Sequence, residues 1–234
     1  MRYLALLGID ETTSPKPDTP EFRAELERYE RFHESAGDAI LGGEAFEATS
    51  AAATVRHGDG GPLVTAGPYA ETTEALGGFY VLEAETLDDA IELARRIPAA
   101  EDVGATLRPM VEWFSRATPG KGTRYLAAIY GKETEGDQPD TPGWQEGVTA
   151  HQRFMDAAGD AVLAGGALHP LATATTVRER DGEVIVTDGP FAESAEVVGG
   201  FYVLRAPSHD EAVGLAGRIP AEAVELRPIL ELGS

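Results

Sequence analysis

The sequence contains no cysteine, which excludes a disulfide framework, a thiolate nucleophile and any cysteine-ligated zinc or iron–sulfur centre. Basic residues are scarce. Nineteen Lys and Arg stand against forty Asp and Glu, for a net charge of −21. Such a field repels phosphate backbones and anionic lipid, so neither nucleic acid nor a membrane surface is an expected partner. Lys16, Lys121 and Lys132 lie in loop-like contexts beside acidic, Gly or Pro neighbours, which leaves little for Schiff-base chemistry. No apolar run reaches the roughly 18 residues of a membrane span, and the opening MRYLALLGID is too short for a secretory core. A cytoplasmic location is expected. His57, His169 and His209 are isolated, with no second ligand at i+2 or i+4, and no metal site is predicted. Gly77-Gly78 and Gly199-Gly200 lack the G-x-G-x-x-G pattern and read as a bulge or a close backbone approach. No cofactor is expected.

What is present is a globular composition, 42% hydrophobic and 25% charged, and a duplication. Arg2 to Pro98 aligns without a gap on Arg124 to Pro220, a shift of 122 residues, and nearly half of the aligned positions are identical. RYLA, PDTP and GGFYVL recur unchanged, and AGDAILGG returns as AGDAVLAG. The reading is therefore one domain over residues 1–116, a Pro/Gly-containing linker over 117–123, and a second domain over 124–234.

Within each copy an apolar strand opens the chain, and a helix follows. Pro20 and Pro142 sit at the first-turn position after a capping threonine, and Gly37 and Gly159 supply the stops. Leu26, Tyr29, Phe32 and His33 form the apolar stripe of the first copy; Val148, His151, Phe154 and Met155 form that of the second. Asp59-Gly60 and Asp181-Gly182 mark hairpin turns. The order β-α-β, hairpin, β-α-β predicts an α+β fold of tandem ferredoxin-like domains, each an antiparallel sheet with both helices on one face. Pairing of the two sheets within the chain as a pseudo-dimer would cover the other face, with a homodimer as the alternative.

The segment VTDGPFAESAEVVGGFYVL, preceded by ATATTVRERDG and by HQRF on the first helix of the second copy, resembles the DGPF group of the YCII-related family. The first copy shows the same pattern as VTAGPYAETTEALGGFYVL. The resemblance implies a dimeric α+β barrel similar to the muconolactone-isomerase type. It also implies a histidine and an aspartate in acid/base work on a small organic molecule, by isomerisation, elimination or hydrolysis, without a cofactor. Carried onto this sequence, His151 and Asp188 are the candidate catalytic residues, and Phe154, Glu193 and Tyr202 the candidate substrate contacts. A small-molecule ligand is the implied partner. The alternative is a non-catalytic binding or regulatory module, since some relatives look like neighbours of extracytoplasmic-function sigma factors.

Comparing the copies sharpens the site. Asp188 is matched by Ala66 and His151 by Tyr29, so both candidate residues differ in the same copy. One active and one degenerate site would leave that pattern. A turn-forming role for Asp188 and a satisfied core position for His151 remain the bland alternatives, and His33, matched by Met155, admits a histidine that has moved by one turn.

Overall fold

The computed structural model describes residues 1–16, 18–58, 60–69, 75–133, 138–190 and 197–231. The repeats build the expected elements. In the first, β1 (Arg2–Ile9) leads to α1 (Pro20–Ala36), β2 (Ile40–Ala45), β3 (Ala53–Arg56), β4 (Leu63–Ala66), β5 (Ala75–Glu83), α2 (Leu87–Ala94) and β6 (Gly104–Ser115). In the second, β7 (Thr123–Gly131) leads to α3 (Pro142–Ala158), β8 (Val162–Leu168), β9 (Thr175–Arg180), β10 (Glu183–Asp188), β11 (Val197–Ala206), α4 (His209–Ala216) and β12 (Ala223–Pro228). This is the α+β class with the order read from the sequence.

The helix boundaries follow from local chemistry. Thr19 accepts the N–H of Phe22, and Thr141 that of Trp144, each with proline in the next position, where the missing N–H costs nothing. Both helices end on a glycine in the left-handed region, Gly37 at φ 52° and Gly159 at φ 55°.

The chain divides into two compact units, and neither is a contiguous repeat. The first consists of residues 1–45, 72–110 and 171–193; the second of 46–71, 111–170 and 194–234. The hairpins have changed places. In the first unit β9, from the second repeat, pairs antiparallel with β6 through Ala105↔Val177, Thr106↔Thr176 and Leu107↔Thr175. In the second unit β3, from the first repeat, pairs antiparallel with β12 through Ala223↔Arg56 to Leu226↔Ala53. The strand orders are β2-β5-β1-β6-β9-β10 and β6-β8-β11-β7-β12-β3-β4, with β6 long enough to enter both.

Each sheet has a helix-covered face and a helix-free face, assigned by strand alternation. On the covered face of the first unit, Tyr3, Ala5, Leu7, Tyr80, Leu82, Ala105, Leu107 and Val177 pack with Phe32, Ala90 and Ala94 of the helices. On that of the second, Val55, Tyr125, Ala127, Tyr202, Leu204, Val224 and Leu226 pack with Phe154, Ala212, Leu215 and Ala216. The helix-free faces carry most of the buried polar residues, Thr106, Arg108 and Thr176 in the first unit and Thr54, Glu225 and Arg227 in the second, whereas Thr175 lies on the covered face.

Candidate active site

Under α3, the Nδ1 of His151 lies 3.1 Å from the hydroxyl of Tyr202 on β11. Phe154, one turn along the same helix face, tilts against the Tyr202 ring with centroids 5.2 Å apart. Gly165 faces Tyr202 across the β8–β11 ladder, and a Cβ there would fall 2.6 Å from Tyr202 Cδ1. The glycine makes room for the tyrosine, which presents its hydroxyl to the helix.

The electrostatics follow from burial. Desolvation lowers the pKa of His151, so its imidazole is neutral near pH 7. Desolvation, helped by the nearby charge of Glu112, pushes the Tyr202 phenol up to about 12, and it stays protonated. A neutral imidazole and a neutral phenol share one hydrogen bond whose polarity follows the imidazole tautomer, an arrangement able to take up and return a proton.

The first unit builds a matching pair by another route. Tyr80 occupies the position of Tyr202, Phe32 that of Phe154, and the rings of Phe32 and Tyr80 are likewise 5.2 Å apart. Gly43 faces Tyr80 as Gly165 faces Tyr202. The histidine, however, is His33, whose Nε2 lies 2.7 Å from the Tyr80 hydroxyl. Tyr29, at the position of His151, packs instead against the core. Positions four apart share one helix face, so a histidine at either can reach the same tyrosine. The two are not equivalent in environment: His33 is exposed and His151 half-buried.

Of the five residues singled out from the sequence, His151, Phe154 and Tyr202 come together in the second unit. Asp188 belongs to the first, at the end of β10 opposite Thr175. Glu193 lies outside the described residues. The hairpin exchange therefore distributes the two coincident differences over both units: Asp188 joins Tyr29 and His33, while Ala66 joins His151. Within the first unit Asp188 shares the helix-covered face, but four strand spacings of roughly 4.8 Å each separate its strand from that of Tyr80.

The turn after Asp188 does not depend on its carboxylate. Gly189 N–H donates to Ala174 O (2.9 Å) and Thr176 Oγ1 to Gly189 O (2.7 Å). Gly67 N–H donates to Ala52 O (2.8 Å) and Thr54 Oγ1 to Gly67 O (3.0 Å), with Ala66 in the place of Asp188.

A second polar cluster, on the helix-free face of the second unit, was not anticipated from the sequence. Glu225 is 5% exposed. Its Oε2 accepts the main-chain N–H of Tyr69 (2.9 Å) and its Oε1 a hydrogen bond from Arg227 Nη1 (3.1 Å). Tyr130 adds a hydroxyl hydrogen bond. Burial raises the Glu225 pKa, with Arg227 and Tyr130 acting against the rise. The Tyr69 and Tyr130 rings stack at 4.2 Å, and the Arg56 guanidinium lies 4.3 Å from the Tyr69 centroid. In the first unit Thr106 replaces Glu225 and shares a 2.8 Å hydrogen bond with Thr176. The available signal was V-E-L-R-P, in which strand alternation places Glu225 and Arg227 on one face of an apolar strand. The first repeat has Thr106 at that point.

Among the described residues no group of three or more His, Asp or Glu is placed to hold a metal ion, and no helix is long and apolar enough to cross a membrane. A groove of about 590 Å³ in the first unit is lined by Met1, Glu83, Glu85, Asp89, Glu92 and Arg96 among others, away from His33 and Tyr80.

The YCII-related domain matches this sequence twice, over residues 1–114 and 124–232. The chain belongs to the YCII-related family. Each match covers one repeat, so the duplicated pattern is a duplicated YCII-related domain whose hairpins have crossed between the compact units. An uncharacterised protein of Rhizobium meliloti (strain 1021) is 36% identical over 104 residues, 43% of this chain and 82% of the relative. A solved structure described as "Putative Chlorite dismutase" is similar with a TM-score of 0.48 and 9% identity, over 98% of this chain and 94% of that one.

Proposed function

We propose that this YCII-related protein is a cofactor-independent acid/base catalyst that moves a proton on a small organic molecule, in isomerisation, elimination or hydrolysis. The observation that carries this reading is the His151–Tyr202 pair: a neutral, half-buried imidazole hydrogen-bonded through Nδ1 to a buried phenol. With Nδ1 engaged, Nε2 is the nitrogen that exchanges a proton with substrate, and Tyr202 fixes the ring orientation. Phe154 supplies an apolar wall.

Asp188, in the first unit and apart from the His151–Tyr202 pair, is proposed as a separate proton-transfer residue, because the turn it precedes closes equally well after Ala66. The substrate class is sought with a metabolite panel in a thermal-shift assay, since a ligand that binds the native state raises the melting temperature. Turnover of the ligand so found is then measured for wild type, His151→Ala and Tyr202→Phe. Turnover that falls in the variants supports the catalyst. A ligand that stabilises the protein but is never converted would replace it with a binding module.

A further inference from the structure

The two exchanged hairpins end in outer strands that are not alike. β4 is four residues long and follows Gly60-Gly61-Pro62. A proline without an N–H at the head of a short outer strand is a common device against edge-to-edge pairing. β10 is six residues long because Glu183 and Val184 stand where the first repeat has Gly61 and Pro62. Among the described residues β10 pairs only with β9, and no described strand lies along its other edge.

The side chains of β10 are as open as its edge. Val184, Ile185 and Val186 are 40%, 41% and 46% exposed. Alternation places Val184 and Val186 on one face and Ile185 on the other, so burial of a single face would not account for all three. An apolar strand exposed on an edge and on both faces is a template for another strand.

We infer that β10 is a self-association strand: two copies of the chain pair antiparallel through their β10 edges about a two-fold axis at Ile185. The occupant follows from the sequence of the strand itself. With Ile185 opposite its own copy, Val184 faces Val186 and Glu183 faces Thr187, so apolar side chains meet and no like charges oppose. Moving the axis to Val184 sets Ile185 opposite Glu183, and moving it to Val186 sets Val184 opposite Asp188, so in either case an apolar side chain meets a carboxylate. A two-fold pairing of identical strands closes on itself and stops at the dimer. The net charge of −21 on each chain opposes the contact over longer range, so salt strengthens it by screening.

The absence of cysteine allows a site-specific test. In Ile185→Cys the two introduced thiols face each other across the axis, and oxidation yields a covalent dimer; Val64→Cys, on the Pro-headed outer strand of the other hairpin, is the control. Sedimentation of the unmodified chain is expected to move from 24.8 kDa toward twice that mass with concentration and with added salt. Ile185→Lys is expected to remain at the single-chain mass with an unchanged circular dichroism spectrum. Cross-linking at position 185 is expected to be several-fold faster than at 64. A wild-type chain that stays at the single-chain mass at every concentration overturns the inference. So does a dimer that survives Ile185→Lys, or cross-linking at 64 that equals or exceeds that at 185.

Discussion

Glu225 accepts the main-chain N–H of Tyr69 at 2.9 Å, across 156 residues of sequence and from one repeat to the other. The contact fastens the Gly67-Pro68-Tyr69 turn of the first repeat to the last strand of the second. It belongs to a buried ion pair, since Arg227 donates to the same carboxylate. Removing one member of such a pair leaves a charge buried alone and typically costs about 3–5 kcal/mol. Glu225→Ala is expected to lose stability on that scale in urea denaturation, and Glu225→Gln less, because the amide oxygen can still accept from Tyr69.

The same carboxyl makes stability depend on pH. Burial raises its folded-state pKa above the ordinary 4.5, and Arg227 and Tyr130 offset only part of the rise. Between the unfolded and folded values the native chain holds a proton that the unfolded chain has released. The contribution is therefore complete below 4.5 and lost as pH rises through the folded value. Urea midpoints of wild type and Glu225→Gln, followed upward from pH 4.5, are expected to fall more steeply with pH in the wild type than in the variant.

Catalysis should show the opposite limb. Burial lowers the His151 pKa below 6.5, so the imidazole gains its proton only in more acidic solution. Turnover is expected to hold at neutral pH and fall on acidification with a midpoint under 6.5. His151→Ala is expected to reduce turnover by about 10²-fold, the usual scale for a positioned acid or base. His33→Ala, which alters an exposed histidine, is expected to leave most of it. Loss of turnover in His33→Ala would transfer the site to the first unit.

Asp188→Asn separates chemistry from folding. Because Gly67 closes the equivalent turn after Ala66, the substitution is expected to change stability by less than about 0.5 kcal/mol, as for other exposed positions. Activity is expected to fall if the carboxylate transfers a proton. A lowered melting temperature with full activity would make Asp188 a turn residue.

Gly165→Ala tests the seat of Tyr202. A Cβ at 2.6 Å from the ring forces the tyrosine to shift, and overpacking of this kind costs about 1–3 kcal/mol. Turnover should drop with the stability, because the hydroxyl that orients His151 moves with the ring.

The elements were legible because their signals are local. Thr19-Pro20 and Gly37 delimit α1 whatever surrounds it, and Thr141-Pro142 and Gly159 do the same for α3. The Phe154–Tyr202 contact with His151 was within reach for the same reason, since helical spacing sets Phe154 beside His151 and the GGFYVL strand carries the tyrosine. Which hairpin completes which sheet was not legible. ATVR and TTVRER present nearly the same edge, and both repeats offer a strand containing Leu-Arg-Pro to receive it. The sequence by itself determined two copies of one α+β domain, their helices, and a histidine–aspartate difference between them. Only the tertiary structure decided that this difference is split between the units, and that Tyr69, Tyr130 and Glu225 meet. The reason is physical: strand pairing joins residues far apart in sequence through backbone hydrogen bonds that every residue type but proline can make, so local sequence does not specify the partner.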